Sequence, residues 1–265
     1  MRVSAIAAAV VAASFGWILP CAQRVAAQAT GQSTQVRVLG SDGVKPAVEE
    51  LVPKIEHSIG QRLTMQFDSS KKLEEKIQAG EAFDVAILTT DSIDTLIKQG
   101  KITAGTRTEI ARSGIGVGIR VGTAKPDIST PEALKRTLLS AKSITFNPTG
   151  ASAAYFNQVI ARLGIAENVR PKFILEQEPA RAQMDVAEGK AEIVITLIPE
   201  ILAVRGVELA GPLPADLQSY ISFAAGVATN TRSGEAAMAL IKLIAAPAAA
   251  ATFKAKGLEP RSSAN

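Results

Sequence analysis

Phe67-Asp68-Ser69-Ser70-Lys71-Lys72-Leu73, followed by Gly80-Glu81-Ala82-Phe83-Asp84-Val85-Ala86-Ile87-Leu88, is the stretch that decides the fold. An apolar, β-prone run ends in an acid, two hydroxyls and two ammonium groups. A helix with Leu73 and Ile77 on one face opens there and stops at Gly80, and a second apolar run begins at once. This strand, loop, helix, strand order belongs to α/β architecture. It also describes a corner able to receive an anion, because a helix N-terminus offers unpaired N–H groups and a partial positive charge.

The same rhythm extends in both directions. Residues 36–39 read as a first strand, followed by the loop Gly40-Ser41-Asp42-Gly43 and a helix with Val48, Leu51, Val52 and Ile55 on one face. Pro53 interrupts that face and predicts a kink or a shifted start. Beyond residue 100, Gly114, Gly116 and Gly118 alternate with Ile115, Val117 and Ile119 in a strand over residues 112–122. No helix follows directly, so this is not a dinucleotide fingerprint. The glycines predict a strand packed tightly on another backbone, compatible with one that crosses between lobes.

A second α/β unit follows, with strands over 143–146, 172–175 and 193–198 and helices over 131–139, 153–163 and 180–188. Residues 220–228 read as a second crossing strand, and the last helices, near 236–244 and 247–256, return to the first lobe. The expected architecture is α/β in two lobes, each a mainly parallel sheet flanked by helices, joined by two hinge crossings. Residues 30–115 with 227–265 form one lobe and 116–226 the other.

At the N-terminus, Arg2, an apolar run over 3–19 and Ala27-Gln28-Ala29 have the form of a cleaved export signal over residues 1–29, placing the mature protein in the periplasm. Cys21, the only cysteine, falls inside that signal, so neither a disulfide nor a thiol nucleophile is expected. Of 29 basic residues, Arg2 and Arg24 leave with it, so 27 face 25 acidic residues and the net charge drops from +4 to +2. With aromatic residues at 4% and no basic cluster interleaved with them, nucleic acid is excluded as a partner.

With these elements in place, the motifs Phe-Asp-Ser-Ser-Lys-Lys-Leu, Gly-Glu-Ala-Phe-Asp-Val-Ala-Ile-Leu, Arg-Ser-Gly-Ile-Gly-Val-Gly, Lys-Pro-Asp-Ile-Ser-Thr-Pro-Glu-Ala-Leu-Lys and Lys-Gly-Leu-Glu-Pro resemble the periplasmic solute-binding proteins of the molybdate-binding type. The resemblance covers essentially the whole chain after the leader. It implies the type 2 periplasmic binding protein fold, with a solute held between lobes and delivered to an ABC permease at the inner membrane. It also implies a cage of neutral donors: hydroxyls from the first two loops, backbone amides and a tyrosine hydroxyl after a late strand. Ser69 or Ser70 keeps the second-loop position. The first-loop hydroxyl position falls on Gly43, with Ser41 displaced from it, and the tyrosine position falls on Leu197.

Four strand-to-helix loops should meet in the cleft, beyond the carboxyl ends of the strands. They cover residues 40–45, 68–72, 147–152 and 196–200. The candidate ligand-binding residues are Ser41, Gly43, Lys45, Ser69, Ser70, Lys71, Asn147, Ser152, Thr196 and Leu197. Lysines supply full charge where the related cage uses dipoles, which favours a polycarboxylate over a compact oxyanion. One of Lys71 and Lys72 is expected on the solvated helix surface, and Arg181 is a further candidate cation.

No catalytic set can be assembled around the single histidine, His57, which falls on the polar side of its helix. Neither a metal site of Cys/His type nor a cofactor is expected. Asp42, Asp68, Glu178 and Glu200 become candidate bases only if the fold removes them from water. The alternative to a binding role is an exported isomerase resembling aconitate isomerase, which shifts a double bond in a tricarboxylate by proton transfer. A monomer is the expected state.

Overall fold

The computed structural model describes residues 35–261, so the expected leader lies outside the described residues. The first half runs β1 (Gln35–Ser41), α1 (Lys45–Ile59), β2 (Arg62–Asp68), α2 (Ser70–Gln78), β3 (Val85–Thr89), α3 (Thr90–Lys98) and the long β4 (Thr108–Arg120). The second runs α4 (Pro131–Ser140), β5 (Ile144–Phe146), α5 (Ala153–Arg162), α6 (Ala166–Val169), β6 (Phe173–Leu175), α7 (Arg181–Ala187), β7 (Ile193–Leu197), α8 (Ile198–Leu202) and β8 (Val207–Pro212). β9 (Tyr220–Val227), α9 (Gly234–Ile244), α10 (Ala250–Ala255) and β10 (Glu259–Pro260) complete it.

Strand order β2-β1-β3-β9-β4-β7-β5-β6 defines a mixed sheet, with β8 and β10 pairing on β4. The pairs β1/β2, β1/β3, β5/β6 and β5/β7 are parallel. β9 runs antiparallel to β3 and to the first half of β4, while the second half of β4 is antiparallel to β7 and β8. One continuous strand is thus shared by two sheet regions, as the glycine-rich run predicted. Tight packing holds as well: a Cβ on Gly118 would lie 2.6 Å from Val194 Cγ1.

Gln218, just before β9, locks the return crossing to the outgoing one. Its Oε1 accepts from Ile115 N and its Nε2 donates to Ile115 O, both at 2.9 Å, so an amide side chain extends the β4/β9 ladder past Tyr220, with Leu213 N also donating to Ile115 O.

Each sheet region is covered on both faces. Leu73, Ile77, Phe83, Leu88, Ile93 and Leu96 form one side layer, and Ala182, Val186, Val194, Ile201 and Val207 another. The main core runs from Val36, Val48 and Leu51 through Ile115 and Val117 to Ile144, Phe156 and Ile160. Coverage on both faces explains why β7 is buried along its whole length and its sequence apolar rather than alternating. α1 runs through Pro53, which stands on its exposed side, and starts at Lys45 with Pro46 in its first turn, where the missing N–H costs nothing. β8 was not predicted, because its Gly211-Pro212 ending reads as a turn.

Candidate functional site

The ends of β1, β2, β5 and β7 and the loop before α7 surround a cavity of about 630 Å³. Its wall includes Ser41, Asp42, Lys45, Ser69, Ser70, Asn147, Thr196 and Glu200 from the four predicted loops. Counting hydrogens shows which groups are left for a solute. Ser69 caps α2 by accepting from Lys72 N, and its Oγ lies 3.3 Å from Thr149 Oγ1. The Thr149 proton is directed at Asn147 Oδ1, so Ser69 is the donor in that pair and its hydroxyl is fully engaged.

Ser70 Oγ accepts from Thr89 N at 3.0 Å and keeps its own O–H free. Asn147 uses Oδ1 for Thr149 and keeps its NH₂. Ser41, 3% exposed, has no hydrogen-bond partner for its hydroxyl among the described residues. Of the two lysines on the wall, Lys256 pairs with Glu50 at 2.6 Å, while Lys45 has no ion-pair partner among the described residues. Lys45 Nζ lies 5.6 Å from the Phe67 ring centroid. Free donors from Ser41, Lys45, Ser70 and Asn147 therefore converge on one space at the strand ends, the place where open α/β sheets hold their ligands.

Residues 36–259 match the family described as bacterial extracellular solute-binding protein. The chain belongs to that family. Among its relatives, an aconitate isomerase from a Pseudomonas species is 27% identical over 234 residues, covering 86% of this chain and 88% of that protein. The molybdate-binding protein ModA of Azotobacter vinelandii is 26% identical over 234 residues, covering 85% and 90%. In fold, the sulfate-binding protein SubI of Mycobacterium tuberculosis H37Rv superposes with a TM-score of 0.72 at 16% identity, covering 87% of this chain and 88% of that one. The periplasmic binding protein fold expected from the motifs is thereby established.

Within this solute-binding protein, not every candidate reaches the cavity. Gly43 lies beneath it: a Cβ there would fall 2.6 Å from Phe223 Cζ and 2.7 Å from Leu197 Cδ1. Leu197 is buried and fills that space, so neither presents a polar group to a solute, and Ser41 supplies the first-loop hydroxyl on the wall. Ser152 is buried at the start of α5, away from the cavity lining. Lys71 lies on the outer face of α2, paired with Glu74 and Glu75 at 3.7 and 3.9 Å. Lys72 is held by the Gln177 carbonyl at 2.6 Å and by Asp68 at 3.8 Å. Arg181 is bound to Asp185 and Glu188, which hold its pKa above the usual range.

Of the four acids singled out, Asp68 is engaged by Lys72 and Lys76 and by Ser69 N, while Asp42, Glu178 and Glu200 line the cavity. Burial pushes Asp42 up to about 6; the Asp68 charge adds to the rise, and Lys45 and Lys72 oppose it. Burial likewise pushes Glu200 up to about 7, against the hydrogen bond it accepts from Thr196 Oγ1 and with a further push from Asp42. The cavity itself still touches Glu200, which is why its surface is only partly covered, but protein surrounds the group.

Sequence reasoning singled out Glu178 and Arg181 but did not count the loop before α7 among those that form the wall. Ala180 there has φ 58°, a left-handed backbone rarely adopted by alanine, and Gln183, 6% exposed, lines the same space. Pro179 beside an acid was the available signal.

Proposed function

We propose that this protein captures a small organic anion, a polycarboxylate by preference, and presents it to an ABC permease at the inner membrane. The observation that carries this reading is the convergence of four unengaged donor groups, Ser41, Lys45, Ser70 and Asn147, on one cavity. Its volume of about 630 Å³ supports an organic solute over a bare tetrahedral oxyanion. Clefts that enclose organic molecules span roughly 300–1,000 Å³. An ion of four oxygens takes only about the space of a few waters, at ~30 Å³ each.

Closure would be a hinge motion about the β4 and residue-218 crossings, between a lobe of residues 30–115 with 227–265 and a lobe of 116–226. The pairing of β9 with β3 supports moving the second boundary back to just before Tyr220. Thermal-shift titration against citrate, cis- and trans-aconitate, phosphate, sulfate, molybdate and tungstate tests the reading. Stabilisation by citrate or an aconitate is expected, and a response to molybdate or tungstate alone would overturn it.

A second reading, a tricarboxylate isomerase, is favoured by two observations together: the 27% identity to an aconitate isomerase and the two near-neutral carboxyl groups on the wall. One carboxylate would remove an allylic proton while a proton is returned to the far carbon, moving the double bond with no net change in composition. Conversion of trans- to cis-aconitate, with deuterium entering the product in heavy water, is the expected sign. An unchanged isomer ratio would remove this reading and leave the first.

A further inference from the structure

An anion is an awkward guest for this wall. Asp42, Glu49, Glu178 and Glu200 face the cavity against Lys45 and Lys256, and Lys256 is already paired. Asp42 stands next to the free Ser41 hydroxyl and opposite Glu200, which reaches the space from α8. Among the described residues, the charged groups that act on Asp42 are Lys45 from the start of α1, Asp68 and Lys72 from the corner between β2 and α2, and Glu200 from α8. Glu200 meets Asp42 and the Thr196 hydroxyl. Neither carboxyl has an ion-pair partner within contact distance among the described residues. A negative solute entering here meets two carboxyl groups that must either repel it or become neutral.

We propose that Asp42 and Glu200 are specificity-determining residues that take up protons as an anion enters and then bind it as neutral hydrogen-bond donors. The inference rests on the anion-binding reading and deepens it. A protonated carboxyl offers one O–H donor, whereas a carboxylate offers none, so proton uptake turns both loops from repelling to gripping. By reciprocity, a solute that favours the protonated carboxyls is itself held more tightly as pH falls. Burial raises the two groups to about 6 and about 7, so near neutral pH the uptake of each proton costs little. Solutes selected this way carry oxygens on two sides, one toward Lys45 and Ser70 and one toward the acids.

The test is calorimetric titration of the wild-type protein, Asp42→Asn and Glu200→Gln, from about pH 5.5 to about pH 8, with citrate and sulfate as parallel probes. The amides imitate the protonated state, and the titration of citrate itself is common to all three proteins and cancels. At pH 8, Glu200→Gln is expected to bind roughly tenfold more tightly than wild type, and Asp42→Asn up to about a hundredfold, with all three within about twofold at pH 5.5. Buffers of different ionisation heat should report about one proton fewer taken up at pH 8 by each variant than by the wild type.

Either variant suffices for the comparison, and ligand-free melts confirm that it is folded. Weaker binding by both amides at every pH, or one common pH slope in all three proteins, overturns the inference while leaving the anion-binding reading intact. If neither probe binds at any pH, the anion-binding reading and this inference fall together.

Discussion

The corner at residues 68–72 and the corner at 196–200 both end a strand and open a helix beside the same cavity, yet they manage charge in opposite ways. At the first corner the charges are abundant and already matched. Lys71 faces Glu74 and Glu75, Lys72 and Lys76 face Asp68, and the Ser69 hydroxyl is engaged by Lys72 N and Thr149. At the second corner one acid, Glu200, is held among protein atoms with a single hydroxyl donor, while Leu197 seals the floor beneath it. The conspicuous charges make scaffold and the inconspicuous one titrates. What a charged residue does depends on its partners, because a paired surface ion contributes little and an unpaired buried one dominates its surroundings.

The largest effect expected from breaking this contrast is at the sealed floor. Leu197→Ala should lower unfolding free energy by about 2–5 kcal/mol in urea denaturation, since it empties the space between Gly43 and Phe223. An effect below about 1 kcal/mol would mean that the floor can collapse into the cavity.

Next comes the other corner. Ser70→Ala leaves the Thr89 N–H without its acceptor and should cost about 1–3 kcal/mol, while also weakening anion binding in the thermal-shift titration. Loss of stability without loss of affinity would assign Ser70 to the scaffold alone.

A smaller effect separates the corners by pH. The native state holds the Glu200 proton up to about pH 7, whereas an unfolded glutamate releases it near 4.5, so wild-type stability contributed by this group falls as pH rises between those values and is level above. Glu200→Gln removes that fall. In ligand-free melts it should match wild type near pH 4 and exceed it by about 1–2 kcal/mol at pH 8, a figure discounted for water reaching the group from the cavity. The smallest effect belongs to Lys71→Ala, with stability within about 0.5 kcal/mol of wild type and affinity unchanged. A drop in affinity there would restore Lys71 as a ligand contact.

Much of the fold was legible because its signals are local. Leu73 and Ile77 share a helix face, Ser69 caps that helix, and the apolar run of β7 announces a strand covered on both sides. The shared strand was legible too, since only glycine lets Val194 approach β4 so closely. β8 escaped because its pairing with β4 is settled by a partner far away in sequence, and its own residues spell a turn. In the site, the four loops were found by topology, and Ser41, Lys45, Ser69, Ser70, Asn147 and Thr196 do line one space. Gly43, Lys71, Ser152 and Leu197 do not, and the loop carrying Ala180, with Gln183 on α7, joined as a further wall of which only Glu178 had been singled out.

By itself, the amino-acid order determined the alternation of strands and helices, the crossing strand and the ends at which a solute would sit. Periodicity, capping and the steric freedom of glycine act over a few residues and need no distant partner. Only the tertiary structure decided which charges remain for that solute. Burial and pairing are set by residues far apart along the chain, and in a low-dielectric space they can neutralise a lysine or keep a proton on a glutamic acid. Lys71 and Glu200 are each one charge in the sequence; the fold made the first a surface pair and the second a titratable wall of the cavity.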